Sequence, residues 1–252
     1  MNVKTDLSNR NNSLNNSPIT LSKSQLAGFI QSTQIKPDLT QKELIVHVLE
    51  CLKYNFNAAM IAPCWVSECR KLLIGSKVRT ATFIDFGMGS LDVHGKSLLV
   101  ANCHKLGADE VDYAPNMGYL LSGMVEAFQK EAIELVHSAE GMPLKAMLQL
   151  GMIPTLAEKK RAILLLEEAG VAWIKNSSGG WPPGATPATV KDIQLIKTTL
   201  KGKSRVKASG GINDFQTALA LIAAGAELLG TSHAAAIIEG YDPQDFGKQA
   251  DY

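Results

Sequence analysis

The feature that most constrains this fold is a regular alternation of short apolar segments with longer amphipathic ones, which begins near Leu21. Eight apolar segments have the length and composition of buried β-strands. In chain order they read FIQSTQI, AAMIAP, VRTATFIDF, EVDYAP, PLKAMLQL, VAWIK, SRVKAS and ELLGTS. Between most of them, apolar residues recur at intervals of three and four, as they do along one face of a helix. The pattern predicts a chain of repeated strand and helix units.

The number of these units indicates the fold class. Eight strand and helix units in about 230 residues match an α/β protein with the (β/α)8 TIM barrel fold. Three joints, LGADEVD, AGVAWIK and AGAELLG, share a glycine that would end a helix just before the next strand. An open doubly wound sheet is the alternative, but no GxGxxG motif follows the first strand to support it.

The chain divides into three predicted regions. Residues 1–20 are rich in Asn and Ser and poor in apolar side chains. Such a composition cannot offset the entropy of ordering, so we expect a flexible polar tail there. Residues 21–240 are predicted to form the barrel domain, and residues 241–252 a C-terminal tail.

Composition excludes several kinds of partner. The 25 basic and 24 acidic residues leave a net charge of +1, which provides no basic field for a nucleic acid or an anionic membrane. No apolar run approaches the roughly 18 residues of a membrane span. The N-terminus also lacks the pattern of a signal peptide, so we expect a cytoplasmic protein. The four cysteines form no CxxC pair or cluster with histidines, so no metal site is expected.

Four charged residues lie inside predicted strands, where charges are uncommon. They are Asp112 on the fourth strand, Lys145 on the fifth, Lys175 on the sixth and Lys207 on the seventh. Side chains of alternate strands share a layer of a barrel, so Asp112 and Lys175 can lie at one level. A single strand lysine more often lies at an exposed edge. Three lysines and an aspartate that converge in one barrel indicate a use, because unpaired buried charges are costly.

The chemistry that needs this arrangement is amine catalysis. A lysine is a nucleophile only when neutral, and both burial and a nearby cation lower its pKa. We therefore expect Lys207 to lower the pKa of Lys175. The neutral amine would add to an aldehyde or ketone, lose water to form an iminium and so allow an enamine to form. Asp112 would relay the protons, and no cofactor is required.

Four motifs carry a family resemblance. GADEVD, WIKNSSGG, VKASGGI and GAELLGTS, in this order and spacing, resemble the deoxyribose-phosphate aldolase family. The likeness extends from STQIKPDLT to the GTS of the last strand. It implies a Schiff base on Lys175, with Lys207 as the second active-site lysine, Asp112 as the proton relay and Lys145 as the fifth-strand lysine. Some members end in a tyrosine that helps to move the donor proton, and this chain ends in Tyr252.

The resemblance also implies a reaction and a substrate site. The reaction would cleave 2-deoxyribose 5-phosphate to acetaldehyde and glyceraldehyde 3-phosphate, or join these aldehydes, without metal. Backbone N–H groups after the last two strands would bind the phosphate. The expected binding residues are Gly210, Gly211, Gly230, Ser232, Ser178 and Asn176. The partner is thus a small aldehyde or sugar phosphate, and a homodimer through the outer helices is among the expected states.

The chain departs from the family pattern along the predicted pocket wall. The family usually has IDHTLLKP where this chain has IQSTQIKP, so Gln31 replaces an aspartate. Gln149 replaces a glutamate at the end of the fifth strand. The third strand often ends in IGFPLG, but here it reads IDFGMG, which introduces Asp85 and replaces a proline with Gly87.

The predicted phosphate end departs as well. Asn213 stands where a basic residue often follows GGI or GGV, and His233 replaces a small residue after GTS. Two alternatives therefore stay open. One is a Schiff-base aldolase with a different, non-phosphorylated substrate, used in secondary metabolism. The other is a non-catalytic barrel that binds a small ligand, in which Gln31 and Gln149 record lost catalysis.

Overall fold

The computed structural model of the protein describes residues 20–179 and 185–245. Most of the two predicted tails lies outside these residues, from 1 to 19 at the start and from 246 to 252 at the end. Tyr252 is among the latter.

Eight parallel strands close into a barrel, in which each strand pairs with its neighbours in the sequence and the last pairs with the first. The strands are β1 Ile30–Gln34, β2 Ala58–Ile61, β3 Arg79–Ile84, β4 Glu110–Tyr113, β5 Leu144–Met147, β6 Trp173–Lys175, β7 Arg205–Ser209 and β8 Leu228–Thr231. Each lies within one of the eight predicted segments. The predicted (β/α)8 fold is confirmed, and the open doubly wound sheet is excluded because the strands form a closed ring.

The helices surround the barrel. They are α1 Lys23–Ala27, α2 Gln41–Tyr54, α3 Val66–Leu72, α4 Val93–Leu106, α5 Met117–Leu121, α6 Val125–Ser138, α7 Leu156–Glu168, α8 Val190–Thr199, α9 Phe215–Ala223 and α10 Ala234–Glu239. Local sequence sets where several begin: Thr40 and Thr155 each form a capping box with a glutamate three residues later. No helix in the described part of the chain is long and apolar enough to cross a membrane.

Alternation along the strands separates the apolar core from the polar interior. On β4, Val111 and Tyr113 belong to the hydrophobic cluster between strands and helices, whereas Asp112 between them does not. On β7, Val206 and Ala208 belong to the same cluster, and Lys207 lies between them. Because successive side chains of a strand point to opposite faces, the charged residues point into the barrel.

Candidate active site

The charged side chains of β4 to β7 meet inside the barrel around the carboxylate of Asp112. Nζ of Lys175 and Nζ of Lys207 lie 3.0 and 2.7 Å from Asp112 Oδ2. Nζ of Lys145 lies 3.3 Å from Asp112 Oδ1. All four residues are buried. The structure thus brings together the three lysines and the aspartate that the sequence placed on separate strands.

Glu110 is a second buried carboxylate in this cluster, and it is not among the site residues predicted from the sequence. Its Oε2 lies 2.5 Å from Lys145 Nζ, and its Oε1 lies 3.2 Å from Arg79 Nε. Glu110 precedes Asp112 by two residues on β4, so both side chains point to the same face. That spacing is the signal that could have identified it.

Gln31 also joins the cluster, from β1. Its Oε1 accepts a hydrogen bond from Lys207 Nζ at 2.6 Å. Its Nε2 donates to Glu110 Oε1 and to Asn57 Oδ1, each at 3.0 Å. The sequence predicted only that an aspartate had been replaced here. The structure shows that Gln31 connects Lys207 to Glu110.

The pKa values in the cluster reflect burial and mutual charge. Burial disfavours the ammonium of Lys207, and the cations of Lys175 and Lys145 also repel it; together these effects outweigh the attraction of Asp112 and lower the pKa of Lys207 to about 7. Burial alone would raise the pKa of Asp112, but the three lysines hold it far below its usual value. The pKa of Glu110 is lowered as well, because Lys145 and Arg79 outweigh the effect of its burial. The cluster therefore combines ionised carboxylates with an amine that can lose its proton near neutral pH.

A cavity of about 360 Å³ leads to this cluster. Asp112, Lys175 and Lys207 all line it. One part of its wall is apolar, and a second part is formed by small residues of β8 and of the loops after β6, β7 and β8. Thr33, Gln34 and Lys36, at the end of β1 and just after it, also line the cavity. The apolar part comprises Ile35, Met60, Phe83, Phe86 and Ile212, and the small residues include Ser178, Gly179, Gly210, Gly211, Gly230 and Ser232.

Five of the six predicted binding residues line this cavity; Asn176 does not, and neither does Lys145, which was predicted as a catalytic residue. Asn176 is buried, and it holds the end of β7. Its Oδ1 accepts from Ser209 N at 2.8 Å, and its Nδ2 donates to Ser209 O at 3.2 Å. Lys145 lies next to Glu110 and Asp112. Each of them contacts a residue of the cavity wall, Asn176 through Ser209 and Lys145 through Asp112.

The small residues on the loops allow close approach of the backbone. Gly210 has φ of +94°, and a Cβ atom there would lie 2.8 Å from Gly179 Cα. Any larger residue would push the loops after β6 and β7 apart. On the neighbouring loop, Ser232 Oγ lies 3.2 Å from Nδ1 of His233. His233 therefore contacts a residue of the cavity wall.

The loop after β3 places Phe86 in the cavity wall. Asp85 has φ of +46° and Gly87 φ of +71°. A proline has its φ near −65°, so the proline common at position 87 in the resembling family does not fit this backbone. The carboxylate of Asp85 accepts from Leu91 N at 3.0 Å. Gly87 therefore permits a backbone conformation that a proline at this position could not adopt.

A further buried lysine, Lys96 of α4, holds the loops after β3 and β4. Its Nζ donates to Gly89 O at 3.1 Å, to Ala114 O at 2.9 Å and to Glu131 Oε1 at 2.6 Å. Asp85 Oδ2 lies 3.6 Å from the same Nζ. This arrangement lies outside the barrel interior and ties the loop after β4 to the loop after β3, which supplies Phe86 to the cavity wall.

Comparison with known proteins adds independent information. No family model matches the chain. The deoxyribose-phosphate aldolase of Methanothermobacter thermautotrophicus is 35% identical over 219 residues, which are 87% of this chain and 96% of the relative. The deoxyribose-phosphate aldolase of Brevibacillus brevis is 36% identical over 212 residues, or 84% of this chain and 94% of the relative.

The chain belongs to the deoxyribose-phosphate aldolase family. The membership predicted from the four motifs is confirmed. Solved structures agree: an aldolase named QR15 is 30% identical with a TM-score of 0.78, covering 84% of this chain and 93% of that one. The deoxyribose phosphate aldolase of Aeropyrum pernix, described as a unique tetramer, is 26% identical with a TM-score of 0.76, covering 86% and 91%.

Proposed function

We propose that this protein is a Schiff-base aldolase that cleaves 2-deoxyribose 5-phosphate to acetaldehyde and glyceraldehyde 3-phosphate and catalyses the reverse addition. One observation carries the proposal. The amino groups of Lys175 and Lys207 both contact Asp112 Oδ2 where the cavity meets the barrel interior. The membership of this chain in the deoxyribose-phosphate aldolase family and the contact of both lysines with Asp112 support the same Schiff-base chemistry.

The nucleophile is Lys175. The pKa of Lys207 is lowered to about 7, so the lysine pair loses a proton near neutral pH. Because both amino groups contact Asp112 Oδ2, a proton can pass from Lys175 to neutral Lys207, which leaves the free amine on Lys175. The side chain of Lys175 is 6% exposed and that of Lys207 is 1% exposed. Lys175 is the more accessible of the two to a carbonyl in the cavity.

The first half of the reaction forms the Schiff base. Lys175 Nζ attacks the aldehyde carbon of the open-chain sugar, and the carbonyl oxygen takes a proton from the ammonium of Lys207. The resulting carbinolamine loses its oxygen as water after a second proton transfer through Asp112, which leaves an iminium. Positioned acids and bases of this kind contribute about 100-fold to 10,000-fold to such steps.

The second half breaks the carbon–carbon bond. A base removes the proton of the C3 hydroxyl, the C2–C3 bond breaks, and its electron pair forms the enamine as glyceraldehyde 3-phosphate leaves. Protonation of the enamine carbon restores an iminium, and water releases acetaldehyde and free Lys175. We include Tyr252, which lies outside the described residues, as a group that helps to move this donor proton.

The phosphate end of the substrate binds in the part of the cavity formed by small residues. Gly210, Gly211, Gly230 and Ser232 line it and can offer backbone N–H groups. Asn213 lines the same cavity, at the position where relatives often carry a basic residue. Lys36, after β1, is a cation that lines the same cavity. We infer that phosphate recognition combines backbone hydrogen bonds with this charge instead of a basic residue at position 213. The cytoplasmic location and the homodimer stay predictions.

Borohydride trapping tests the amine chemistry. The protein is incubated with acetaldehyde, reduced with sodium borohydride, and its intact mass and modified peptide are measured. We expect one ethyl group on Lys175 and none in Lys175→Ala. Lys105→Ala, which removes an exposed lysine of α4, is the matched control and should label like the wild type. Absence of any adduct on the wild type would contradict the proposal.

A cleavage assay tests the substrate. Release of acetaldehyde is compared for 2-deoxyribose 5-phosphate and for 2-deoxyribose under the same conditions. We expect a higher kcat/KM for the phosphorylated sugar. Equal values for both would show that the phosphate is not recognised and would contradict the proposed substrate while leaving the Schiff-base chemistry intact.

A further inference from the structure

We propose that Gln31 is a positioning residue of the amine site: it orients Lys207 and, because it is neutral, leaves the buried cluster with more lysines than carboxylates, so that one lysine is held as a free amine. This inference rests on the proposed function and concerns the pH range in which the site reacts.

The orientation of the Gln31 amide follows from its neighbours. Its Nε2 lies 3.0 Å from two oxygen atoms, Asn57 Oδ1 and Glu110 Oε1. A carbonyl oxygen at that position would face two acceptors, so the NH2 group must point there. The Oε1 atom consequently faces Lys207 Nζ at 2.6 Å.

An amide makes both sets of contacts, whereas an ionised carboxylate cannot. Gln31 accepts from Lys207 on one side and donates to Glu110 on the other. A carboxylate has only acceptor atoms when ionised, and it would face the carboxylate of Glu110 at hydrogen-bond distance. The interior of this barrel is therefore built around a neutral residue at position 31.

The neutral residue decides the charge balance around Lys207. Lys207 faces Asp112 of β4 directly, and Gln31 connects it to Glu110 of the same strand. It also faces two cations, Lys145 of β5 and Lys175 of β6, which contact the same aspartate. Arg79 of β3 reaches Glu110, and β8 approaches Lys207 with Gly230. Inside the barrel, three lysines thus meet two carboxylates.

The excess of lysines favours loss of one proton. A buried positive charge without a matching negative charge is costly, and the cluster removes that cost by releasing a proton from a lysine. An added carboxylate at position 31 would balance the third ammonium and keep it protonated. The expected consequence is a site that binds carbonyl compounds at lower pH than the same site with an acid at position 31.

The test measures borohydride trapping of acetaldehyde on the full-length protein as a function of pH, for the wild type and for Gln31→Glu. The substituted side chain has the same size and adds one negative charge beside Lys207. We expect the midpoint of trapping to rise by about one pH unit and trapping at pH 7 to fall about tenfold. An unchanged midpoint in folded Gln31→Glu would overturn the proposal.

Gln31→Met provides the neutral control. It removes the hydrogen bonds without adding charge, so we expect slower trapping at all pH values and a midpoint that stays in place or moves down. A midpoint that rises in Gln31→Met as it does in Gln31→Glu would also overturn the proposal. Should Gln31→Glu fail to fold, a midpoint that rises by about one pH unit in Gln31→Met overturns the proposal, and slower trapping with a midpoint at or below the wild-type value supports it.

The outcomes separate this inference from the proposed function. If wild-type protein is not trapped at any pH, the Schiff-base function fails. If the wild type is trapped but the Gln31 variants show no charge-dependent shift, only the role of Gln31 fails.

Discussion

Among the described residues, the buried lysines form two groups with opposite charge balance. Lys96 lies between two carboxylates, with Glu131 Oε1 at 2.6 Å and Asp85 Oδ2 at 3.6 Å. Inside the barrel, Lys145, Lys175 and Lys207 share two carboxylates, those of Asp112 and Glu110. Lys96 therefore has two carboxylates for one ammonium group, whereas the three lysines inside the barrel have two carboxylates between them.

The two groups also differ in access. Nζ of Lys96 donates three hydrogen bonds, one to Glu131 and two to loop carbonyls. Its side chain is fully buried. Lys175 and Lys207 line the cavity. A buried ammonium whose three N–H groups are all hydrogen-bonded stabilises the fold. A lysine beside a cavity with too few carboxylates to balance its charge can lose its proton and act as an amine. The same residue type thus has two roles, set by its neighbours.

Replacement of Lys175 with alanine should give the largest effect on activity. Loss of the nucleophile is expected to reduce kcat for cleavage by at least about a thousandfold. The melting temperature should change little, because Lys145 and Lys207 still balance the two carboxylates of the cluster. Steady-state kinetics and a thermal melt measure both. Activity that survives in Lys175→Ala would assign the nucleophile to another lysine.

Replacement of Lys96 with methionine should give the largest effect on stability. It leaves Glu131 and Asp85 buried without their cation, which typically costs about 3–5 kcal/mol of unfolding free energy. Urea unfolding measures the loss. The double variant Lys96→Met/Glu131→Gln should recover part of it, because it removes one of the uncompensated charges. The pH midpoint of borohydride trapping should stay at the wild-type value, and a shift would mean that the two lysine groups are coupled.

Replacement of Lys207 with leucine should have the opposite result, with a large effect on the pH dependence of trapping and a small one on stability. Removing the second cation is expected to raise the pKa that governs trapping by about two units, which slows the reaction at pH 7 about a hundredfold. The free energy of unfolding should fall by less than about 1 kcal/mol, since Lys145 and Lys175 still balance the two carboxylates after the change. A pH profile and a urea titration test the two statements. An unchanged pH profile would show that Lys207 does not set the electrostatics of the site.

A change of pH on the unmodified protein should give the smallest effect. The pKa of Lys207 is lowered to about 7, so deprotonation increases as the pH rises through that value. The trapping rate at fixed acetaldehyde is expected to increase about tenfold from pH 6 to pH 8. A rate that stays constant or falls over this range would contradict a neutral amine as the nucleophile.

Sequence alone determined the barrel and the residues that enter it. Strand alternation and helix periodicity are local properties, so eight repeats of both were readable from residues a few positions apart. The same local reasoning placed Asp112, Lys145, Lys175 and Lys207 on consecutive strands. It could have included Glu110, two residues before Asp112, and it had no signal for the contacts of Lys96.

Only the tertiary structure decided which of these groups touch. Gln31 and Lys207 are 176 residues apart in the chain, yet their side chains are hydrogen-bonded because closure of the barrel brings β1 near β7. Asn176, which stays a predicted substrate-binding residue, is hydrogen-bonded to the backbone of Ser209, 33 residues further along the chain. The charge balance around a buried lysine is a sum over several strands, and that sum exists only once the barrel has closed.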